Sequence, residues 1–198
     1  MPLGRGFIRL LMVPPPARNK PGVPGRDETV SDRVDLQAEL ESRPIPNDIL
    51  HEICQHALDV APEECCGLLL GDGEGWARRV VRITNVMTKM HAADPAAFPR
   101  DARHAYYMSE VEYLRAVQEA EARQERVTAV YHSHFGQGCY LSPDDVAFAT
   151  HPLFPFPEAA QIVVSLLDGE VKQAGVFEKK RLPSGESGFV GRVLEALP

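Results

Sequence analysis

An α+β domain, layered helix on sheet on helix around a mixed β-sheet, is the fold class that this chain of 198 residues predicts. Three observations carry it. Helical and strand periodicities follow the order helix, strands, helix, strands, helix along residues 47–197. Residues 65–71 (Cys-Cys-Gly-Leu-Leu-Leu-Gly) are an unbroken apolar run of strand length, which must be covered on both faces. Two β-rich runs, 162–167 and 171–177, are joined through Asp168-Gly169, a dipeptide that favours a tight hairpin.

Residues 1–45 hold seven prolines with charges between them and little periodicity, and read as a loosely attached or disordered tail. The stretch 7–13 faintly resembles a signal-peptide core, but Arg9 interrupts it and no small-residue cleavage site follows. A short helix over 31–41 is thin in apolar content. The domain proper then spans 46–198. Asn47 caps a first helix with Ile49, Leu50, Ile53, Ala57 and Val60 on one face, and Pro62 ends it. After the 65–71 strand, the turn residues 72–75 and the strand-like stretch 76–86 complete a hairpin. Residues 87–108 read as loop and short strand. Ser109 and Glu112 have the spacing of a capping box for a helix to about residue 125, with Val111, Leu114 and Val117 as its inner stripe. A second Ser-x-x-Asp signal, with proline at the first helical position, opens a short helix over 143–150. Residues 188–197 read as a helix.

Residues 127–132 (Val-Thr-Ala-Val-Tyr-His) are β-branched and aromatic, and this strand runs into His132-Ser133-His134. Side chains alternate along a strand, so His132 and His134 share a face at a backbone spacing of roughly 7 Å and converge on one ion. An oxygen from Asp145 as third ligand would leave a tetrahedral zinc one position for water, the arrangement of a catalytic metal. Ser133 faces the other way and reads as a packing or hydrogen-bonding residue. Ser142 reads both as a helix cap and as a site residue. The remaining histidines, His51, His56, His91, His104 and His151, lack partners at useful spacing and read as surface or helix residues. Cys139, inside the metal loop, reads as a free thiol.

With 44% hydrophobic and 25% charged residues, the chain has enough apolar mass for one proper core. A net charge of -7 argues against nucleic acid or an anionic membrane surface as the main partner. No stretch is apolar for the 18 or so residues of a membrane span. The four cysteines form neither a CxxC pair nor a disulfide framework, which points to a reducing, cytoplasmic setting.

Taken together, Glu64, His132-Ser133-His134, seven residues, Ser142, two residues and Asp145 resemble the JAMM (MPN-plus) zinc metallopeptidases, in their compact prokaryotic form. Residues 62–71 are similar to the segment that carries that family's glutamate, and the resemblance covers about 47–178. It implies a JAB/MPN-like, cytidine-deaminase-like domain. It also implies zinc held by His132, His134 and Asp145, with Glu64, not its neighbour Glu63, as general base and acid. Ser142 would donate to the oxyanion. The implied reaction is hydrolysis of a peptide or isopeptide bond at the tail of a ubiquitin-like or sulfur-carrier protein ending in Gly-Gly. Phe135 stands where the family usually has proline; Phe135 and Tyr140 would then line the substrate groove, and 87–108 would supply a substrate-facing insertion. A scaffold of the same fold without catalysis is the alternative. A zinc nucleobase deaminase is excluded, because the H-x-E and P-C-x-x-C pattern is missing.

Overall fold

The computed structural model describes residues 33–72, 75–182 and 185–197. In chain order the elements are β1 (Val34–Asp35), β2 (Arg43–Ile45), α1 (Asn47–Val60), β3 (Cys66–Gly71), β4 (Arg79–Ile83), α2 (Met87–Ala93), α3 (Glu110–Ala122), β5 (Arg126–Phe135), β6 (Tyr140–Leu141), α4 (Pro143–Ala149), β7 (Ala160–Leu167), β8 (Glu170–Arg181) and β9 (Ser187–Ala196). Seven strands make one mixed sheet in the order β2-β9-β8-β7-β5-β3-β4, and β1 pairs with β6 apart from it. β5 runs parallel to β7 and β2 parallel to β9, while the other neighbours are antiparallel. The α+β expectation holds, and the mixed sheet is its reason.

Alternation along the central strands sorts the core into two faces. Leu69, Ala129, Tyr131, Ile162 and Val164 point to one side, where α1 lays down Ile49, Ile53 and Ala57. Cys66, Leu68, Leu70 and Val130 point to the other, against α3 and the loops around it. The apolar run of β3 is buried at all six positions, as a strand covered on both faces must be. Between β7 and β8 the turn residues Asp168 and Gly169 have φ of 55° and 77°, the paired positive values of the tight hairpin the dipeptide signalled.

α1 begins one residue earlier than a cap at Asn47 would place it. Pro46 is the N-cap and its carbonyl accepts the Leu50 N–H at 3.0 Å. On its inner face His56, expected at the surface, is only 7% exposed and bonds through Nδ1 to the Tyr131 hydroxyl at 2.8 Å. Burial first, and then the Arg82 charge, pull the His56 imidazole from 6.5 down to about 4, with Asp59 opposing. The sign follows directly. Below pH 6.5 the unfolded chain takes up a proton that the native ring refuses, so stability falls as pH drops from about 6.5 to about 4. We expect a loss of about 2 kcal/mol from this group across that interval. Urea midpoints at pH 7 and 4.5 should therefore diverge less in His56→Gln than in the parent; equal divergence would remove His56 as the cause.

The structure corrects the sequence reading in six further places. The tail expected through residue 45 ends sooner, since β1 pairs with β6 and β2 with β9; backbone groups of 34–45 find ladder partners that composition does not announce. For the same reason 33–41 is not helical, and residues 1–32, with the 7–13 stretch, lie outside the described residues. Part of 87–108 is the helix α2. In α3 the buried stripe is Tyr113, Ala116 and Ala120, while Val111 is 78% exposed. Its Ser109 makes no side-chain cap, and the Glu112 carboxylate that would close the box accepts instead from the Thr84 N–H and hydroxyl at 2.7 and 3.0 Å. Residues 187–196 are the strand β9, not a helix. Pairing to β8 on one side and β2 on the other overrides the helix-favouring Leu, Glu and Ala.

Candidate metal centre

β5 carries His132 and His134 to the α3 side of the sheet and buries both, at 1% and 5% exposure. Their Nε2 atoms face each other at 3.2 Å. The chain then loops through residues 136–139, returns in β6, and starts α4 at Ser142. This places Asp145 in the first turn of α4, with Oδ1 3.5 Å from His132 Nε2 and Oδ2 3.7 Å from His134 Nε2. His132, His134 and Asp145 thus form a group able to hold a metal ion.

The capping and ligand roles of Asp145 are divided between its oxygens. Oδ2 accepts from the Ser142 N–H at 2.8 Å and the Ser142 hydroxyl at 2.6 Å, closing a reciprocal capping box. Oδ1 is left toward His132. Ser142, expected to donate to an oxyanion, gives its hydroxyl proton to the Asp145 carboxylate and so holds that ligand in place. His134 is oriented similarly: Nδ1–H donates to the Gly138 carbonyl at 3.1 Å, leaving the Nε2 lone pair available as a metal ligand. His132 Nδ1 is buried with no hydrogen-bond partner, and its ring is held by stacking on Tyr106 at 4.8 Å. Burial raises the cost of charge on Asp145, but the two imidazoles outweigh it and hold the carboxyl well below its usual range. For His134 burial disfavours the proton, and Asp145 and Glu64 more than restore it.

Glu64 enters from the neighbouring strand. β3 and β5 pair with Cys66 opposite His132, so continuing that register by two residues sets Glu64 opposite His134. Its backbone is clamped on both sides: the N–H donates to the Ala102 carbonyl at 2.7 Å, and the carbonyl accepts from Asn85 Nδ2 at 2.9 Å. Ser133, facing away from the metal group as expected, accepts the Cys65 N–H at 2.8 Å and locks the two strands there. Burial pushes the Glu64 carboxyl up to about 8; His134 and Arg100 pull it down and Asp145 pushes it further up. Glu63 is exposed and faces Thr88 instead.

Residues 46–177 match the model of the prokaryotic homologues of the JAB domain. The chain belongs to that family. A solution structure of a protein from Desulfitobacterium hafniense shares the fold, with 20% identity, a TM-score of 0.55, and 78% of this chain and 93% of that one covered. A second solution structure, from Salinibacter ruber, aligns at 26% identity and a TM-score of 0.48, over 77% of this chain and 91% of that one. A comparison with curated proteins returns no match.

In this JAB domain Glu64, His134, Ser142 and Asp145 open on one cavity of about 120 Å³. Phe135 and Tyr140, expected along the groove, are not part of its wall. Phe135 is offset by one residue from His134 and so falls on the opposite face, 38% exposed. The Tyr140 ring packs beside His134 at 5.1 Å and under the Arg33 guanidinium at 4.9 Å. Residues 87–108 do reach the site, as anticipated, through Arg100 and 104–108. Sequence reading missed Asn85. Its side chain also accepts the N–H groups of Met87 and Tyr107, both at 3.0 Å, tying α2 and the cavity wall to Glu64. A polar residue isolated between a strand and a helix was the one signal available.

All four cysteines are free thiols, and burial raises the Cys139 thiol to about 12. Among the described residues no helix is long and apolar enough to cross a membrane.

Proposed function

We propose that this JAB domain is a zinc-dependent peptidase that cuts a peptide or isopeptide bond at the Gly-Gly tail of a ubiquitin-like or sulfur-carrier protein. One observation carries the reading. The Nε2–Nε2 distance of 3.2 Å and the 3.5 Å from His132 Nε2 to Asp145 Oδ1 lie on either side of the edge of about 3.4 Å that tetrahedral ligands near 2.1 Å from zinc require. Two neutral imidazoles and one carboxylate also make a common donor set for catalytic zinc.

When bound, zinc brings the pKa of a coordinated water toward neutrality. His134 keeps its Nε2 lone pair inward because Gly138 takes the Nδ1 proton, and Ser142 fixes the Asp145 carboxylate. Glu64, in the same cavity and with a carboxyl already balanced near neutral pH, takes a proton from the attacking water. The water oxygen bonds to the carbonyl carbon, the carbon–nitrogen bond breaks, and Glu64 returns the proton to the leaving amine. The Ser142 hydroxyl reaches an oxyanion only if it leaves Asp145, so its support for the reaction is chiefly through the ligand. A Gly-Gly tail suits such a site because backbone without side chains fits beside buried ligands and binds in extended form.

The test is incubation of zinc-loaded and chelator-stripped protein with a panel of Gly-Gly-tailed fusions, read by mass spectrometry. We expect about one zinc per chain and a new C-terminus after Gly-Gly, with no cleavage after stripping. Zinc-loaded protein that cuts nothing in the panel, or stripped protein that cuts equally well, would defeat the proposal. Metal-free protein with no hydrolysis would make this a scaffold of the same fold.

A further inference from the structure

The cavity beside the ligand group is lined largely by apolar side chains. Leu68 and Val130 from the sheet, Met87 and Met108 from α2 and the following loop, and Phe154 and Phe156 before β7 line it. Among its lining residues is a chain of rings in contact: Tyr106 with Phe148 at 6.5 Å, Phe148 with Phe154 at 5.3 Å, Phe154 with Phe156 at 6.0 Å, and Phe156 with Tyr113 at 5.9 Å. Tyr106, which starts this chain, also stacks on the ligand His132. Rings that brace one another edge to face keep the space from closing, whereas ordinary interiors pack to leave few voids larger than a water.

From these observations we infer that the cavity is a side-chain subsite for a bulky apolar residue, phenylalanine or leucine in kind, on the amine side of the bond that is cut. The inference rests on the peptidase reading. Size limits the occupant: the whole cavity, reacting centre included, is about 120 Å³, below the roughly 150 Å³ of an apolar protein cavity that takes up benzene, so its apolar part has room for no more than one ring or one branched aliphatic chain. Charge limits it as well. Arg100 at the cavity is paired with Asp144, and His104 with Asp101, so neither is poised to recruit an acidic side chain. The two methionines give the walls some adaptability to shape. The side of the bond follows from the proposed tail, because Gly-Gly supplies no side chain on the acyl side. A linear extension that begins with a bulky apolar residue therefore fits better than an isopeptide-linked lysine.

The experiment has two arms. In the first, metal-free protein labelled at the methionine methyls is titrated with N-acetylphenylalaninamide and with N-acetylglycinamide. Met87 and Met108 signals should shift saturably with the first probe alone, while Met90, which packs in the same cluster but is not in the cavity wall, stays still. Ala105→Leu, which adds bulk at the cavity wall, should abolish those shifts without changing the melting temperature. In the second arm, zinc-loaded protein is given fusions ending in Gly-Gly-Phe, Gly-Gly-Gly and Gly-Gly-Lys extensions. We expect kcat/KM for the phenylalanine extension to exceed the other two by at least roughly tenfold, the discrimination a well-filled apolar pocket gives. Silent Met87 and Met108 methyls with all three extensions cut equally would overturn the subsite and leave the peptidase standing. Methyl shifts with no extension cut would overturn the peptidase reading, and the amine-side assignment with it.

Discussion

Glu64→Gln is expected to lower kcat by about 10²–10⁴ while the protein still binds metal at the parent stoichiometry. The expectation follows from where the carboxyl sits. Glu64 shares the cavity of the ligand group, but the three mutually close donor atoms belong to His132, His134 and Asp145. The change removes a proton carrier without removing a ligand. In barrier height the loss is about 3–5 kcal/mol, the size of a general acid–base contribution. Folding should be nearly unaffected. Burial already disfavours charge on this carboxyl, so an uncharged amide of the same shape replaces it at little cost to folding. His132→Ala should separate cleanly from this variant by losing metal and hydrolysis together. Glu63→Gln, on the exposed side of the same segment, should behave as the parent in both assays. A Glu64→Gln protein retaining half of parental kcat would show that another group moves the proton. One that has lost its metal would show that Glu64 is a ligand.

The parts of this site legible in the sequence are those fixed by short periods. His132 and His134 fall on one face because strands alternate, and Asp145 reaches them because a Ser-x-x-Asp cap places the fourth residue of the box at a helix start. Glu64 needed the family's spacing, since residues two apart from the β3 run have no local mark that sets them opposite a histidine. Of the cavity walls, only the segment 87–108 was expected at the site, and the contacts that build them were not legible. They come from 100–108 and 148–156, which lack a period, and their contacts are set by the ring-to-ring packing of residues distant in sequence. The inner face of α3 was misjudged because large aliphatic residues drew attention from Ala116 and Ala120, whose small side chains let the helix lie close to the sheet. In β9 the local preference was helical, but every ladder partner that decides the matter lies elsewhere in the chain.

Gly67→Ala should destabilise the domain by about 3 kcal/mol or more, the upper range for forcing atoms into a packed core. A Cβ at this position would lie 2.3 Å from the Val81 carbonyl oxygen and 2.5 Å from two carbons of the Tyr131 ring. Neither neighbour has room to retreat. Val81 is held in the β3–β4 ladder opposite Leu68, and Tyr131 is fully buried with its hydroxyl bonded to His56 of α1. Displacing the ring would strain the contact that seats α1 and would shift the strand at the residue next to His132. Metal affinity should therefore fall along with stability, although Gly67 touches no ligand. Gly138→Ala supplies the contrast. It lies in the metal loop, yet its added carbon meets only Tyr140 ring carbons at 3.6 and 3.8 Å, ordinary contact distances, so its urea midpoint should stay near the parent's. If the two variants unfold at the same urea concentration, the close approach of β3 to the Tyr131 ring is not what holds this half of the sheet, and the register that presents His132 must be secured in another way.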